Sequence, residues 1–242
     1  MKNKIAVIIP CYKVKNKINF VLKSINLTLV NKVYIVDDCC PQNSGRHIKK
    51  NKYSNKIHVI FLKKNHGVGG ATIHGFRKAI STKHTILIKI DGDGQHNPNY
   101  IKKFINVLSK NKYNYCKGVR LFKKNKLHEN MPKIRYLGNI VLTNITRLVT
   151  GFHDISDCLN GFIGIKSELI NKINLKNLRK DYFFEQDLLF RLSLINAKIK
   201  EIPIPIKYFK NNDSNLNIFK IIPLFLYYHI KNIFIKNKIL KL

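Results

Sequence analysis

The chain predicts an α/β fold with a mostly parallel central sheet and helices on both faces. Three observations lead there. Short apolar runs of strand length alternate with segments whose apolar residues recur at helical spacing. The first run, Ile5 to Ile9, has the unbroken apolar character of a buried parallel strand. Three strand ends carry polar groups, at Pro10–Tyr12, Asp37-Asp38 and Asp91–Asp93. In open parallel sheets ligands sit beyond the carboxyl ends of strands.

The elements follow in order. Ile5 to Ile9 is a strand closed by Pro10. Residues 15 to 29 carry Ile18, Val21, Leu22, Ile25 and Leu29 at helical spacing. Val33 to Val36 is the second strand. A polar turn and a short helix near 43 to 51 precede a third strand over Ile57 to Leu62. Gly67 to Ile80 opens on a glycine cluster and becomes a helix. Thr85 to Ile90 is the fourth strand. Residues 98 to 109 are helical, with Pro98 near the start, and Tyr113 to Val119 is a further strand. Ile134, Leu137, Val141, Ile145 and Leu148 form one helical stripe over 134 to 150, ended by Gly151. Asp157 to Ile165 is a loop entering a strand. Tyr182 to Leu194 is a helix with Glu185 and Asp187 in its first turn, where the helix dipole alone favours acids. Ile202 to Ile206 is a short edge strand.

Composition bounds the function. The 242 residues are 45 % hydrophobic, which excludes a disordered chain. Forty-five Lys and Arg against thirteen Asp and Glu give +32, which favours anionic partners. The basic residues are spread evenly, with no compact basic helix and no RNA-binding aromatic pattern, so no nucleic-acid partner is expected. Heavy use of Lys, Asn and Ile throughout also follows from AT-rich coding. The five cysteines are odd in number and lack zinc-type spacing, which fits a reduced, cytosolic setting. The opening apolar run is too short for a signal peptide. No uncharged run reaches the roughly 20 residues of a spanning helix.

Residues 1 to 215 read as the domain and 216 to 242 as a basic, apolar helical tail. The tail holds five lysines and no acid. Pro223 suits the first turn of a helix there. Three roles remain open for it: a helix docked on the domain, a contact with a partner subunit, or a membrane-interface helix.

The richest segment is Ile88-Lys89-Ile90-Asp91-Gly92-Asp93-Gly94-Gln95-His96. On an extended backbone, side chains two apart point the same way, so Asp91 and Asp93 can converge. Hard oxygen donors at a strand end suit Mg²⁺ or Mn²⁺, which commonly joins a carboxylate to a substrate phosphate. A strand ending in an ordinary Asp-Gly turn is the plainer reading.

With these residues in place, the chain resembles the family 2 glycosyltransferases of GT-A (Rossmann-like) fold over roughly residues 5 to 215. The nearest resemblance is to the polyprenyl-phosphate type typified by dolichyl-phosphate mannose synthase. Pro10-Cys-Tyr12 and Val36-Asp37-Asp38 match the first two strand ends. Asn65-His-Gly67-Val-Gly69-Gly70-Ala71 resembles the Asn-x-Gly-x-Gly segment. Asp91-Gly-Asp93-Gly-Gln95-His-Asn-Pro98 resembles the metal motif. Gly118-Val-Arg120, Asp157-Cys-Leu-Asn-Gly161-Phe162 and Phe184-Glu185-Gln-Asp187-Leu188-Leu189 resemble three further segments. The chain departs from the pattern at Val68, where lysine is frequent, at Cys39-Cys40-Pro41, and at Asn160. Near Ser214, where the synthase type often has an arginine, only Lys207 and Lys210 are close. The transmembrane pair of many relatives has no counterpart in the sequence.

The resemblance implies an inverting hexosyltransferase with a nucleotide-sugar donor, GDP-mannose-like or UDP-glucose-like. Asp38 would bond the base, with Pro10 and Tyr12 shaping its pocket and Gly70 beside the donor. Asp91 would face the ribose or sugar. Asp93 and Gln95, with Asp91, would hold Mg²⁺ or Mn²⁺. Arg120, Arg135, Asp157, Lys210 and Ser214 are candidates for the acceptor or phosphate site. A lipid phosphate is largely a dianion at neutral pH and attacks without a base. A glycan hydroxyl needs one, for which Asp187 is the candidate and Glu185 the second. The lipid-phosphate acceptor is the preferred expectation, at the cytoplasmic face of a membrane.

Overall fold

The computed structural model describes residues 3–48, 55–120, 133–205 and 218–239, with only the backbone of 133–135, 218–222 and 237–239. Seven strands form one sheet: β1 (Ile5–Cys11), β2 (Lys32–Asp37), β3 (Ile57–Phe61), β4 (Ile86–Lys89), β5 (Tyr115–Arg120), β6 (Ile163–Lys166) and β7 (Ile199–Ile204). Their order is β3-β2-β1-β4-β6-β5-β7. β1 pairs in parallel with both β2 and β4. β2–β3 and β5–β7 are parallel too, and β6 runs antiparallel to both its neighbours. The chain winds one way from β1 through β2 to β3, then the other way from β4. The crevice beyond the carboxyl ends of β1 and β4 is therefore a switch point, where such sheets take their ligands.

Seven α-helices occur among the described residues: α1 (Lys15–Lys23), α2 (Gly67–Ser81), α3 (Ile101–Ser109), α4 (Lys133–Thr150), α5 (Ser167–Lys172), α6 (Phe184–Leu194) and α7 (Ile218–Ile239). Alternate strand residues serve opposite faces. Ala6, Ile8, Tyr34, Val36 and Leu87 pack under α2 and α6. Val7, Ile9, Val33, Ile35 and Ile88 pack under α1 and α3. Both faces are apolar because both are covered, as the unbroken run Ile5 to Ile9 predicts.

Several boundaries differ from expectation, each for a local reason. β1 runs through Pro10 to Cys11. The Ile8 carbonyl faces β4, accepting from Ile90, and the Cys11 carbonyl faces β2, accepting from Asp38. The missing N–H of Pro10 thus points to the side where the β4 ladder has already ended, at Lys89. α1 stops at Lys23, well short of residue 29. The Ser24 hydroxyl bonds back to the Phe20 carbonyl, and the Asn26 side chain accepts from Thr28 N–H, local bonds that compete with a helix. No helix forms over 43–48; the Asp37 carboxylate instead takes the N–H groups of Cys40 (2.8 Å) and Gly45 (2.6 Å) and fixes a series of turns. Residues 49–51 of that expectation lie outside the described residues. α5 was not expected. Pro223 is the sixth residue of α7 and so lies beyond its first turn. The boundary expected at residue 215 also lies outside the described residues.

Gly151 ends α4 as expected, with φ +78° and its N–H on the Arg147 carbonyl at 2.8 Å. On the α3 face, Phe104 stacks on Phe162 with centroids 4.2 Å apart, and Phe162 leans on His96 at 5.4 Å. This stack supports the loop that follows β4. Phe104→Ala is expected to cost about 3–5 kcal/mol in urea unfolding; a loss below about 1 kcal/mol would show that the stack is not part of the packed core.

Candidate active site

The site begins where β4 stops. Lys89, its last residue, shares a face with Leu87 and is fully buried. Its ammonium lies 2.7 Å from Asp91 Oδ1 and 2.9 Å from Glu185 Oε1 in the first turn of α6. Burial alone would lower the lysine pKa, but Asp91 and then Glu185 outweigh it and raise it. Burial likewise opposes ionisation of Asp91, and the Lys89 charge overrides that and holds the carboxyl below its usual range. Gly161 closes over this pair. A Cβ at 161 would sit 2.5 Å from Asp91 Oδ2 and 2.6 Å from Lys89 Nζ, so any side chain there would displace the pair.

Asp93 is the contrasting acid. Burial first, then the charge on Asp91, push its pKa up to about 6. Its Oδ1 accepts from Gln95 N–H at 2.9 Å, and it enters no ion pair among the described residues. Next to it, burial pushes His96 down to about 4, so the ring is neutral at pH 7. Its Nδ1 lies 3.6 Å from Asp91 Oδ2 without forming an ion pair.

No group of three or more His, Cys, Asp or Glu gathers among the described residues. Asp91 and Asp93, with the Gln95 amide, offer two carboxylates and one neutral oxygen. That set fits a Mg²⁺-type ion that takes its remaining ligands from substrate phosphate and water. Burial and then the Asp91 charge oppose ionisation of Asp93, a cost that such an ion would offset.

A second buried cluster backs the first. Arg120, at the end of β5, grips Asp157 in a fork, Nε to Oδ2 at 2.7 Å and Nη2 to Oδ1 at 2.8 Å. Asn139 of α4 adds a bond to Asp157 Oδ1 at 3.3 Å. Burial opposes charge on Asp157, but Arg120 prevails and holds it at about 2. Lys117 of β5 donates to the Asn160 carbonyl, and burial lowers its pKa. Lys89 and Lys117 pair with the same residue of β6, Ile163, from its two sides. Two buried lysines thus underlie the loop 157–161.

The other expected site residues fall as follows. Pro10 is buried in β1, and Tyr12 just beyond it is exposed. Asp38 is buried, and its Oδ1 accepts from His66 N–H at 2.7 Å; burial raises its pKa although those backbone bonds oppose the rise. The Gly70 N–H is taken by the Lys180 carbonyl at 3.0 Å, and a Cβ at Gly69 would strike the Arg179 carbonyl. The glycine cluster therefore admits the 179–181 backbone, and Gly70 does not present its amide to a ligand. Glu185 is paired to Lys89. Asp187 is buried and takes Arg179 N–H (2.7 Å), Tyr228 O–H (2.8 Å) and Arg191 Nε (3.2 Å). Arg120 and Asp157 are bound to each other. The side chain of Arg135, and Lys207, Lys210 and Ser214, lie outside the described residues.

Sequence reasoning passed over Lys89, Lys117, His96 and Asn139. For the lysines a signal was present. Each interrupts a strand of otherwise buried residues, Ile88-Lys89-Ile90 and Cys116-Lys117-Gly118, and a charge there needs a partner. For Asn139 there was none.

Acid and amide groups stand at the switch point of a doubly wound sheet, the place where α/β enzymes of this architecture take their ligands. The chain belongs to glycosyl transferase family 2, matched over residues 6–173, and is a glycosyltransferase. It is 29 % identical over 217 residues to the UDP-N-acetylglucosamine–dolichyl-phosphate N-acetylglucosaminyltransferase of Methanococcus voltae, covering 84 % of this chain and 86 % of that protein. It is 25 % identical over 174 residues to the undecaprenyl-phosphate mannosyltransferase of Micrococcus luteus, covering 71 % and 70 %. In fold it matches glucosyl-3-phosphoglycerate synthase of Mycobacterium tuberculosis, solved with Mn²⁺, UDP and phosphoglyceric acid. That match has a TM-score of 0.67 at 15 % identity and covers 90 % of this chain and 73 % of that one. The GT-A architecture expected from the sequence is the one observed.

Two outcomes follow from the charge network. Lys89→Met strands the buried Glu185 carboxylate and the half-buried Asp91 and is expected to cost about 3–5 kcal/mol in chemical unfolding. Adding Glu185→Gln should recover part of that loss, and purely additive costs would show that the pair is not coupled. Asp157, depressed to about 2 in the fold, contributes stability that is complete above its unfolded value near 4 and is lost as pH falls toward 2. An acid titration of unfolding free energy should show this step in wild type and lose it in Asp157→Asn.

Proposed function

We propose that the protein transfers a hexose from a nucleotide sugar to a polyprenyl phosphate, with inversion and with Mg²⁺ or Mn²⁺. The observation that carries this reading is the Asp91–Asp93 pair at the switch point, one acid neutralised by Lys89 and the other left without a cation. Asp93, Asp91 and Gln95 would hold the ion against the donor diphosphate. When bound, it supplies Lewis-acid neutralisation of the nucleoside diphosphate that departs. Lys89 fixes the Asp91 carboxylate in place and keeps it ionised. Gly161 lets the loop close on it. Pro10 and Tyr12 lie at the edge of the same crevice, where the donor base would rest.

The acceptor follows from what the remaining acids are doing. A hydroxyl acceptor needs a carboxylate free to take its proton. Asp187 already accepts from three donors, and Glu185 is bound to Lys89. A phosphate acceptor needs no such base. Two relatives are named for transfer to dolichyl or undecaprenyl phosphate, which supports the same choice. Addition to a glycan hydroxyl gains no support from these acids. We place the protein at the cytoplasmic face of a membrane, beside its lipid acceptor; no described helix is long and apolar enough to cross one.

Radiolabel from a panel of nucleotide sugars should appear in organic-extractable polyprenyl phosphate only with Mg²⁺ or Mn²⁺ present. Asp93→Ala should lower transfer at least ~100-fold with the unfolding transition preserved. The raised Asp93 pKa means that the ion-free fold gains stability as pH falls through about 6, and that a metal must then displace a proton. Thermal stabilisation by Mn²⁺ should accordingly be full at pH 7.5 and fade below about pH 6. Wild-type transfer in excess chelator would end the metal reading.

A further inference from the structure

α7 meets the rest of the chain at separate points. Lys236 Nζ reaches the Val149 carbonyl of α4 at 3.1 Å. Nearer the start of the helix, Phe225 and Tyr228 are buried, and the Tyr228 hydroxyl donates to Asp187 Oδ1 at 2.8 Å. Burial and then the Asp187 charge raise the Tyr228 pKa, so the hydroxyl stays protonated and donates. This contact falls on the segment 179–183 that leads into α6. The Phe183 ring stacks on Tyr228 with centroids 6.1 Å apart and tilts against Phe225 at 5.8 Å. The Arg179 guanidinium lies 5.0 Å from the Phe183 centroid and 5.7 Å from that of Tyr228. Asp187 Oδ2 accepts from Arg179 N–H at 2.7 Å. Arg191 Nε is 3.2 and 3.3 Å from the two carboxylate oxygens and so does not choose between them. Tyr228 does choose: with Oδ1 engaged, Oδ2 is directed at the backbone of the segment.

The far side of the segment bears on the first turn of α2. The Lys180 carbonyl accepts from Gly70 N–H at 3.0 Å. A Cβ at Gly67 would lie 2.5 Å from the Lys180 carbonyl oxygen, and one at Gly69 2.6 Å from that of Arg179, so the two backbones are in direct contact. α2 opens at His66, whose N–H goes to Asp38 Oδ1 at 2.7 Å. Each link from the tail helix to Asp38 is therefore a short polar contact or a backbone contact with no slack. We propose that Tyr228 is a positioning residue of the donor site: through Asp187 it seats the segment 179–181 against α2 and so fixes the Asp38 carboxylate that bonds the nucleotide base. The inference rests on a nucleotide-sugar donor bonded by Asp38. It goes beyond that reading by making a helix of the tail part of the donor site. It also gives Asp187 a use, as the junction of three elements, in place of the base it resembles in sequence.

The test uses the full chain and compares Tyr228→Phe, which keeps the ring and removes only the hydroxyl, with Lys236→Met, which removes the contact of α7 with α4. Calorimetric titration with UDP and with GDP, each with Mn²⁺, reads the donor site without an acceptor. Tyr228→Phe should weaken binding of the nucleotide that wild type takes by about tenfold. The donor KM should rise to match, with kcat at saturating donor within about twofold of wild type. Lys236→Met should leave nucleotide binding within about twofold. In nucleotide-free protein, amide hydrogen exchange at Gly70, whose N–H is held by Lys180, should be faster in Tyr228→Phe and unchanged in Lys236→Met. Contact between neighbours does not by itself establish coupling, and this pair of variants measures it. Nucleotide binding by Tyr228→Phe equal to wild type would overturn the proposal, whatever the exchange at Gly70. Equal weakening by Lys236→Met would overturn it too, since that outcome marks a general effect of α7 on stability. Wild type that binds neither nucleotide would instead end the donor reading, and the role of Tyr228 with it.

Discussion

The ammonium of Lys89, shared between Asp91 and Glu185, is the contact on which the site depends. It ties the end of β4 to the first turn of α6, across the face that α2 and α6 cover. Burying a charge costs several kcal/mol, and only close partners with good geometry offset it. Here both partners lie within 2.9 Å. The consequence is a division of labour between two acids only two residues apart. Asp91 is ionised and held, and Asp93 is half-buried, repelled by its neighbour and in no ion pair among the described residues. One acid is fixed by a cation of the protein itself, and the other is not.

The same logic runs through the loop 157–161. Arg120 and Asp157 neutralise each other in a buried fork, Lys117 holds the Asn160 carbonyl, and Asn139 of α4 completes the set. A loop pinned at three points can carry Gly161 to within contact of the Asp91 carboxylate and keep it there. Preorganisation of this kind is what a site for a developing diphosphate requires, because reorganising charged groups during reaction would forfeit part of their effect.

The sequence disclosed the strand ends well and the use of each acid poorly. Asp91 and Asp93 were legible as two acids just past a strand end, although Gly92 and Asp93 form a turn there in place of the extended chain expected, and the strands were legible because both faces are buried. Asp37, Asp38 and Asp187 look equally functional in sequence. In space Asp37 and Asp38 hold backbone N–H groups, and Asp187 joins the 179–181 segment, α6 and α7. A carboxylate near a strand end is suited to either use, and which donors reach it depends on loops whose paths have no periodicity to read. The glycine cluster at 67–70 carries the same ambiguity. Glycine permits a close approach of anything, and here the neighbour is the backbone of Lys180. Ile25 and Leu29 met the helical spacing because the core reaches them, although Asn26 turns the chain out of a helix first.

α4 shows a further limit of periodicity. The stripe of Ile134, Leu137, Val141, Ile145 and Leu148 establishes that the helix is amphipathic, and its composition gives no sign of which side faces inward. The apolar stripe is the usual inner face because burial of apolar area is the main favourable term. That preference reverses when the interior offers partners only a polar stripe can satisfy. The loop backing the site presents Asp157 and the N–H of Cys158, each of which would be left short of a bond against leucine. Asn139 and Thr143 face inward beside Leu142 and Val149 because the loop 157–161 is polar, and Leu137, Val141 and Leu148 are turned outward as a result. The held, charged loop beneath α4 and the apolar residues turned outward above it are thus two sides of one constraint.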